Sequence, residues 1–244
     1  MTNTDSSREG QSNIQNPSYQ HLELLNSQLR NIVKRTKINV EFTYRTEDLV
    51  NERILELTLQ CNSVLDVGKG SREHYAKFAA SQIQTLDIEQ YDDYPDIRGD
   101  ICNPSALLHD SFDGVICLAV LEHVYDPKGA VEAIHSLLRK GGICFAYLPF
   151  LYRYHAPGDL KFQDYYRFSR DGIAYLFRDF EDVTLYPIRG RFSTMFNLER
   201  YWKKKVERYC GQRINRFVDW VGGKMLGRKD EYLRASGYFV RAVK

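Results

Sequence analysis

The residues most able to do chemistry lie in one run, VLDVGKG (Val64 to Gly70), where an apolar segment ends on an acid and passes into two glycines one residue apart. Glycines there allow a tight turn, and their missing side chains let a ligand approach the backbone at the start of a helix. Turn geometry alone also produces such a pattern. A second signal is Asp87, which closes the run Gln84 to Asp87, 21 residues after Asp66. An acid near that offset is where nucleoside-binding α/β proteins bond a ribose hydroxyl pair. A lone Asp at a strand end also caps turns, but the joint spacing favours a nucleoside site. After Gly70 the chain reads Ser71-Arg72-Glu73, so the third glycine of the dinucleotide fingerprint is missing, and no P-loop pattern occurs. NAD and ATP both drop.

Two histidines follow at points where a reaction could need a base. His123 lies in Leu121-Glu122-His123, and His155 lies further on, with Asp159 four residues later. Either imidazole suits proton removal from a hydroxyl acceptor, and either equally suits a hydrogen bond that orders a loop. Asp164, Tyr166 and Arg167 line an acceptor pocket in one reading and form a buried salt bridge with aromatic packing in the other. The six histidines form no HxxxH or HxH pair and the five cysteines no CxxC, so the spacing suggests no metal site.

These residues need strands to end where they stand. Strand texture appears at 63–67, 83–88, weakly at 96–99, and at 112–118 and 143–148. Helical stretches are expected at 72–80 and 127–139, the second opening on Pro127 and closing before Gly141-Gly142. Such alternation argues for an α/β sheet with parallel strands. A helix near 170–177 and closing strands at 183–188 and 237–243 follow. Ahead of the sheet, 1–17 read as a disordered tail and 18–60 as N-terminal helices, over Tyr19–Thr36 and Thr46–Gln60. The sheet domain occupies 61–188 and 236–244, and 189–235 form a helical insert.

In order and spacing, VLDVGKG, LDIE (86–89), GDI (99–101), SFDGVICLAVLEHVYDP (111–127) and LLRKGGICFAYLPF (137–150) resemble class I S-adenosylmethionine-dependent methyltransferases. The segment from His155 to Asp159 with DYYRF (164–168) resembles a bacterial, type 11-like subgroup carrying H-x-P-x-D and DYxRF. The resemblance implies a Rossmann-like sheet of seven strands, mostly parallel with an antiparallel last strand, and helices on both faces. It implies that Asp66, Gly68 and Gly70 shape the loop under the methionine half of S-adenosyl-L-methionine. Asp87 then holds the ribose, Asp100 and Ile101 face the adenine, and Leu118 and Ala119 lie near the sulfonium. Lys69 stands where the family usually has a small neutral residue, and it is expected to point to solvent. The implied reaction is methyl transfer to oxygen on a sugar or other small hydroxylated metabolite, including a nucleotide- or lipid-linked glycan. A non-catalytic partner with the same fold, and an RNA methyltransferase using the insert, are the rival readings.

The 244 residues carry 34 Lys plus Arg against 32 Asp plus Glu, but the charge is segregated. The insert holds 13 basic and five acidic residues, a net +8 within a chain of +2, so the remainder is −6. Phe196, Trp202, Val206, Ile214, Phe217 and Val221 fall near helical spacing and suggest an apolar seam. Such a helix is a solvated cap, a phosphate-bearing-acceptor site, or a peripheral contact with an anionic membrane. No recognised RNA-binding module accompanies it, which argues against nucleic acid. The polar N-terminus lacks a signal-like apolar core, and the unpatterned cysteines fit a reducing, cytoplasmic setting.

Overall fold

The computed structural model describes residues 17–42, 46–69, 71–79, 82–90, 93–104, 109–156, 162–198, 213–226 and 231–244. The expected tail (1–16), Gly70, Asp159, Trp202 and Val206 lie outside them, as does the Phe196 side chain.

The strands are β1 (Ile38–Val40), β2 (Val64–Val67), β3 (Ile83–Asp87), β4 (Ile97–Arg98), β5 (Phe112–Leu118), β6 (Leu138–Pro149), β7 (Asp182–Ile188) and β8 (Gly237–Val243). They form one sheet in the order β1-β7-β8-β6-β5-β2-β3-β4. β8 runs antiparallel to both neighbours, Ala146 facing Val240 and Leu185 facing Val240. Every other pair is parallel. The chain order reverses between β2 and β5, which opens a crevice at the carboxyl ends of these strands.

The helices are α1 (Pro17–Arg35), α2 (Thr46–Gln60), α3 (Pro127–Leu137), α4 (Arg170–Leu176), α5 (Arg191–Leu198) and α6 (Arg213–Leu226). Strand alternation divides the core in two. Leu65, Val115, Cys117, Cys144 and Ala146 pack with α3 and α4. Val64, Ile116, Ile143 and Phe145 pack with Leu49, Ile54 and Leu57 of α2. Both faces are covered, which is why β2, β5 and β6 are apolar nearly throughout. α2 is tied to β8 by Glu56, whose Oε1 accepts from Arg241 Nε at 2.8 Å and whose Oε2 accepts from Arg53 at 2.7 Å.

Four details differ from the sequence expectations. Among the described residues the sheet has eight strands, because Ile38–Val40, between the two expected helices, adds in parallel to β7. α1 does not cover the sheet with its leucines, since Leu22, Leu24, Leu25 and Leu29 are exposed. The stretch after the glycine turn is a 3₁₀ helix over Arg72–Lys77, whose tight winding lets the Tyr75 hydroxyl reach back to Asp66. β6 begins at Leu138, directly at the end of α3, rather than after the glycine pair.

The described residues of the insert include α5 and α6, but the seam differs from the expected one. Ser193 N–H and Gly190 N–H donate to Asp219 of α6 at 2.9 and 3.0 Å, so one helix caps the next. A side chain at Gly222 would meet the Phe192 ring at 1.9 Å, so the two helices meet closely there. Ile214, Val218 and Val221 are partly buried, whereas Phe217 is 59% exposed and lies off that face. Among the described residues no helix is long and apolar enough to cross a membrane.

Candidate active site

The expected cofactor residues gather at the carboxyl ends of β2, β3 and β4. Asp66 is wholly buried, and the Tyr75 hydroxyl donates to its Oδ2 at 2.5 Å. Burial pushes its carboxyl up to about 7, against the opposing pull of the Tyr75 and Ser71 hydroxyls. A carboxyl raised from its unfolded value of about 3.9 contributes stability below that pH and loses it as pH rises through 7. Ligand-free protein is therefore expected to lose about 2–3 kcal/mol from this group between pH 5 and 8. Urea titrations of wild type and Asp66→Asn at the two pH values check this, because the variant lacks that component.

Gly68 has φ +74°, and a Cβ on it would lie 2.8 Å from Val120 Cγ2. The turn is thus a cradle that only glycine fills without strain. Gly68→Ala is expected to destabilise the protein by about 1–3 kcal/mol and to weaken nucleoside binding at the turn. Calorimetry of the variant tests both.

Asp87 is half-buried at the end of β3. Its Oδ1 accepts the Glu89 N–H at 3.1 Å and its Oδ2 the Tyr94 hydroxyl at 3.2 Å. The Lys69 ammonium lies 4.1 Å from the centre of the Tyr94 ring, so the side chain, though exposed, lies over an aromatic face beside Asp87 rather than extending into water. Asp100 accepts the Cys102 N–H at 2.9 Å and the Tyr125 hydroxyl at 2.7 Å. That bond raises the Tyr125 phenol to about 12. Ile101 is buried beside Asp100. Leu118 ends β5, and Ala119 follows with φ +57°, a left-handed residue at the strand end. Such geometry in an L-residue costs of order 1–3 kcal/mol and often marks a functional turn.

The acceptor-side residues come from the loops after β5 and β6. Glu122 is wholly buried, and neither carboxylate oxygen has a hydrogen-bond partner. Burial pushes it up to about 7, with Asp164 adding to the effect. His155 Nε2 lies 3.4 Å and His123 Nε2 3.8 Å from Glu122 Oε1. The two imidazoles meet edge to face at 4.9 Å. His123 Nδ1 lies 2.6 Å from the Gln163 carbonyl, to which it donates. Sequence reasoning passed over Glu122. Its signal was a carboxylate adjacent to His123, but nothing in the spacing shows that it turns inward.

Asp164 and Arg167 form a clasp rather than an acceptor-facing pair. Arg167 donates in fork fashion to both Asp164 oxygens and to the carbonyls of Tyr152, Arg153 and Tyr166. All five guanidinium donors are spent on the loop, which leaves none for an acceptor. Asp164 also accepts the His155 N–H at 2.9 Å, and the Arg167 bonds pull its carboxyl down to about 2. Tyr166 points its hydroxyl to the Tyr125 carbonyl at 3.0 Å, so it too is a strut between the two loops.

Sheet order, the glycine cradle and acids at three successive strand ends define a class I nucleoside-cofactor domain of the Rossmann-like type. Residues 65–146, about a third of the chain, match the family model of the methyltransferase domain. That stretch thus carries a methyltransferase domain. Among solved structures, the [4+2]-cyclase SpnF is similar at 14% identity and a TM-score of 0.50, over 92% of this chain and 94% of that one. A possible histamine N-methyltransferase of Thermotoga maritima is similar at 12% identity and TM-score 0.47, over 93% and 98%. Phosphoethanolamine N-methyltransferase 2 of Haemonchus contortus is similar at 17% and 0.47, over 80% of this chain and 52% of its own. The chain spans about half the length of that enzyme. No curated protein sequence matches. The likeness to SpnF bears on the fold alone; chemistry is decided at the site.

Proposed function

We propose that the protein transfers the methyl group of S-adenosylmethionine to a hydroxyl oxygen of a small acceptor, a sugar or similar polyol. The observation that carries this reading is the buried Glu122 with His123 and His155, a proton-handling cluster set in the loops that follow β5 and β6. The cofactor's residues fit: a Cβ-excluding turn at Gly68, and carboxylates at Asp66, Asp87 and Asp100. Bound there, S-adenosylmethionine supplies an electrophilic methyl on a positively charged sulfur.

The chain's own residues do the rest. Asp87 presents both oxygens to a ribose diol, and Asp66, buried and bonded by the Tyr75 hydroxyl, shapes the loop under the methionine end. Ala119, in its left-handed turn, brings the end of β5 close without a long side chain. Displacement at a methyl carbon gains chiefly from holding acceptor and methyl in line. A hydroxyl acceptor must also lose its proton, and the cluster at Glu122 receives it. Tyr154, Phe162 and Tyr165, all exposed, give the loop an aromatic rim suited to the apolar faces of a sugar ring. The basic insert suits a phosphate-bearing form of that acceptor, nucleotide- or lipid-linked.

The test is product formation with sugar, nucleotide-sugar and polyprenyl-phosphate-sugar acceptors, read as S-adenosylhomocysteine release and as an O-methylated product. Transfer to amines alone, or salt-sensitive transfer to RNA, overturns the hydroxyl reading. Cofactor binding with no transfer to any acceptor class favours a non-catalytic partner instead.

A further inference from the structure

We propose that Glu122, His123 and His155 form a binding site for one divalent first-row transition-metal ion, of the Zn²⁺ class. One ligand atom from each lies within 4.8 Å of the others. Ligands about 2.1 Å from a tetrahedral metal stand about 3.4 Å apart. The 3.4 and 3.8 Å separations from Glu122 Oε1 already approach that value.

The independent observation is the carboxylate itself. Glu122 is wholly buried and neither of its oxygens is hydrogen-bonded, an arrangement that folded proteins almost always avoid or explain by a bound ion or water. The imidazoles do not relieve it by ordinary hydrogen bonding. His123 donates from Nδ1 to the Gln163 carbonyl, so its neutral form turns the Nε2 lone pair toward the carboxylate. His155 Nδ1 lies 3.1 Å from Asp164 Oδ2, within ion-pair range but without hydrogen-bond geometry. His123 thus turns an acceptor toward a carboxylate whose oxygens meet no hydrogen-bond donor. A cation resolves that conflict, and His–carboxylate and His–carbonyl contacts behind the ring are the outer contacts that orient metal-ligating histidines. The Arg167 clasp fixes Asp164, and through it His155.

Two imidazoles and one carboxylate suit zinc, iron, cobalt or nickel better than magnesium or calcium, which prefer all-oxygen sites. Three protein ligands leave at least one position open. With an ion bound, the three side chains would be ligands and the proton would be given up by a water or acceptor oxygen at that open position, a use that rests on the hydroxyl-acceptor reading; metal binding itself does not.

The experiment takes the full chain, tag removed and stripped with chelator, and titrates it with Zn²⁺ by calorimetry and Co²⁺ by absorption. One tight equivalent is expected, with a cobalt spectrum free of thiolate charge transfer. His123→Asn and His155→Asn are each expected to weaken Zn²⁺ binding at least 100-fold, and Glu122→Gln likewise. Stabilisation by S-adenosylhomocysteine, measured in the same samples, shows that each variant is folded and that the cofactor site is intact. No tight equivalent in the wild type, a thiolate spectrum, or unchanged affinity in the His123→Asn/His155→Asn double variant overturns the proposal. Should a variant lose its cofactor response, the wild-type cobalt spectrum decides. Because no acceptor is present, failure here is separate from failure of the hydroxyl-acceptor reading, and the cofactor response reports separately on the methyltransferase assignment.

Discussion

Asp87→Ala is expected to abolish the rise in melting temperature that S-adenosylhomocysteine gives the wild-type protein. A ligand that binds only the folded state stabilises it by RT ln(1 + [L]/Kd), so the shift reads affinity directly. Two hydrogen bonds from a ribose diol to a carboxylate are each worth roughly 1.5–3 kcal/mol. Losing both weakens binding on the order of 100-fold or more, which erases the shift at modest ligand concentration. The fold should survive, because Asp87 is half-buried and caps only the Glu89 amide and the Tyr94 hydroxyl. Thermal scans with and without ligand check both halves. A retained shift in a normally folded Asp87→Ala protein sinks the assignment of the ribose site.

The second large effect is expected at Arg167. Its side chain is three-quarters buried, and the carboxylate it grips has no exposed surface. Arg167→Ala leaves that carboxylate buried and uncompensated, and breaking a buried pair from one side costs about 3–5 kcal/mol. It also frees the carbonyls of Tyr152, Arg153 and Tyr166. Arg167→Lys is expected to recover little, since an ammonium cannot reproduce a planar fork of five donors. Urea unfolding measures the loss. The stabilisation by S-adenosylhomocysteine should persist in whatever fraction folds, because none of the residues assigned to the cofactor touches the clasp. Were the Arg167→Ala protein as stable as wild type, the clasp would be a surface contact of little weight.

The sequence carried the cofactor half of the site in local form. VLDVGKG and Asp87 stand at strand ends that period and punctuation mark, whereas Asp100 in the GDI segment was reached only through the family resemblance. β5 and β8 emerged with their boundaries intact, because each is a short apolar run between turn signals. The acceptor half was not legible in that way. Glu122 and His155 are 33 residues apart, and only the docking of the two loops, with the Tyr165 and Tyr166 N–H groups donating to the Glu122 carbonyl and the Tyr166 hydroxyl to the Tyr125 carbonyl, brings them within 3.4 Å. Asp164 and Arg167 belong to a motif that marks a functional segment, yet the motif does not say which side chains face the ligand and which brace the loop. β1 was hidden for a different reason: three residues pairing with a strand 145 positions away leave no periodic trace. In the described part of the insert, Ile214, Phe217 and Val221 do fall on one helix, but Phe217 lies off its packed face, since Asp219 and Gly222 fix how α6 turns against α5.

That short strand β1 has a consequence for how molecules of this protein meet one another. Without it the sheet would end on β7, seven residues of almost wholly buried, mostly apolar strand with a free row of amides and carbonyls. A strand of that length is a template for edge-to-edge association. The sheet instead terminates in three residues at one margin and two at the other, β4. β1 pairs with Val183–Leu185 and stops short of Tyr186–Ile188, so among the described residues the ladder of β7 is not open to a partner strand over its whole length. The protein thereby keeps a wide, eight-stranded platform for its site with a shortened template for edge-to-edge association.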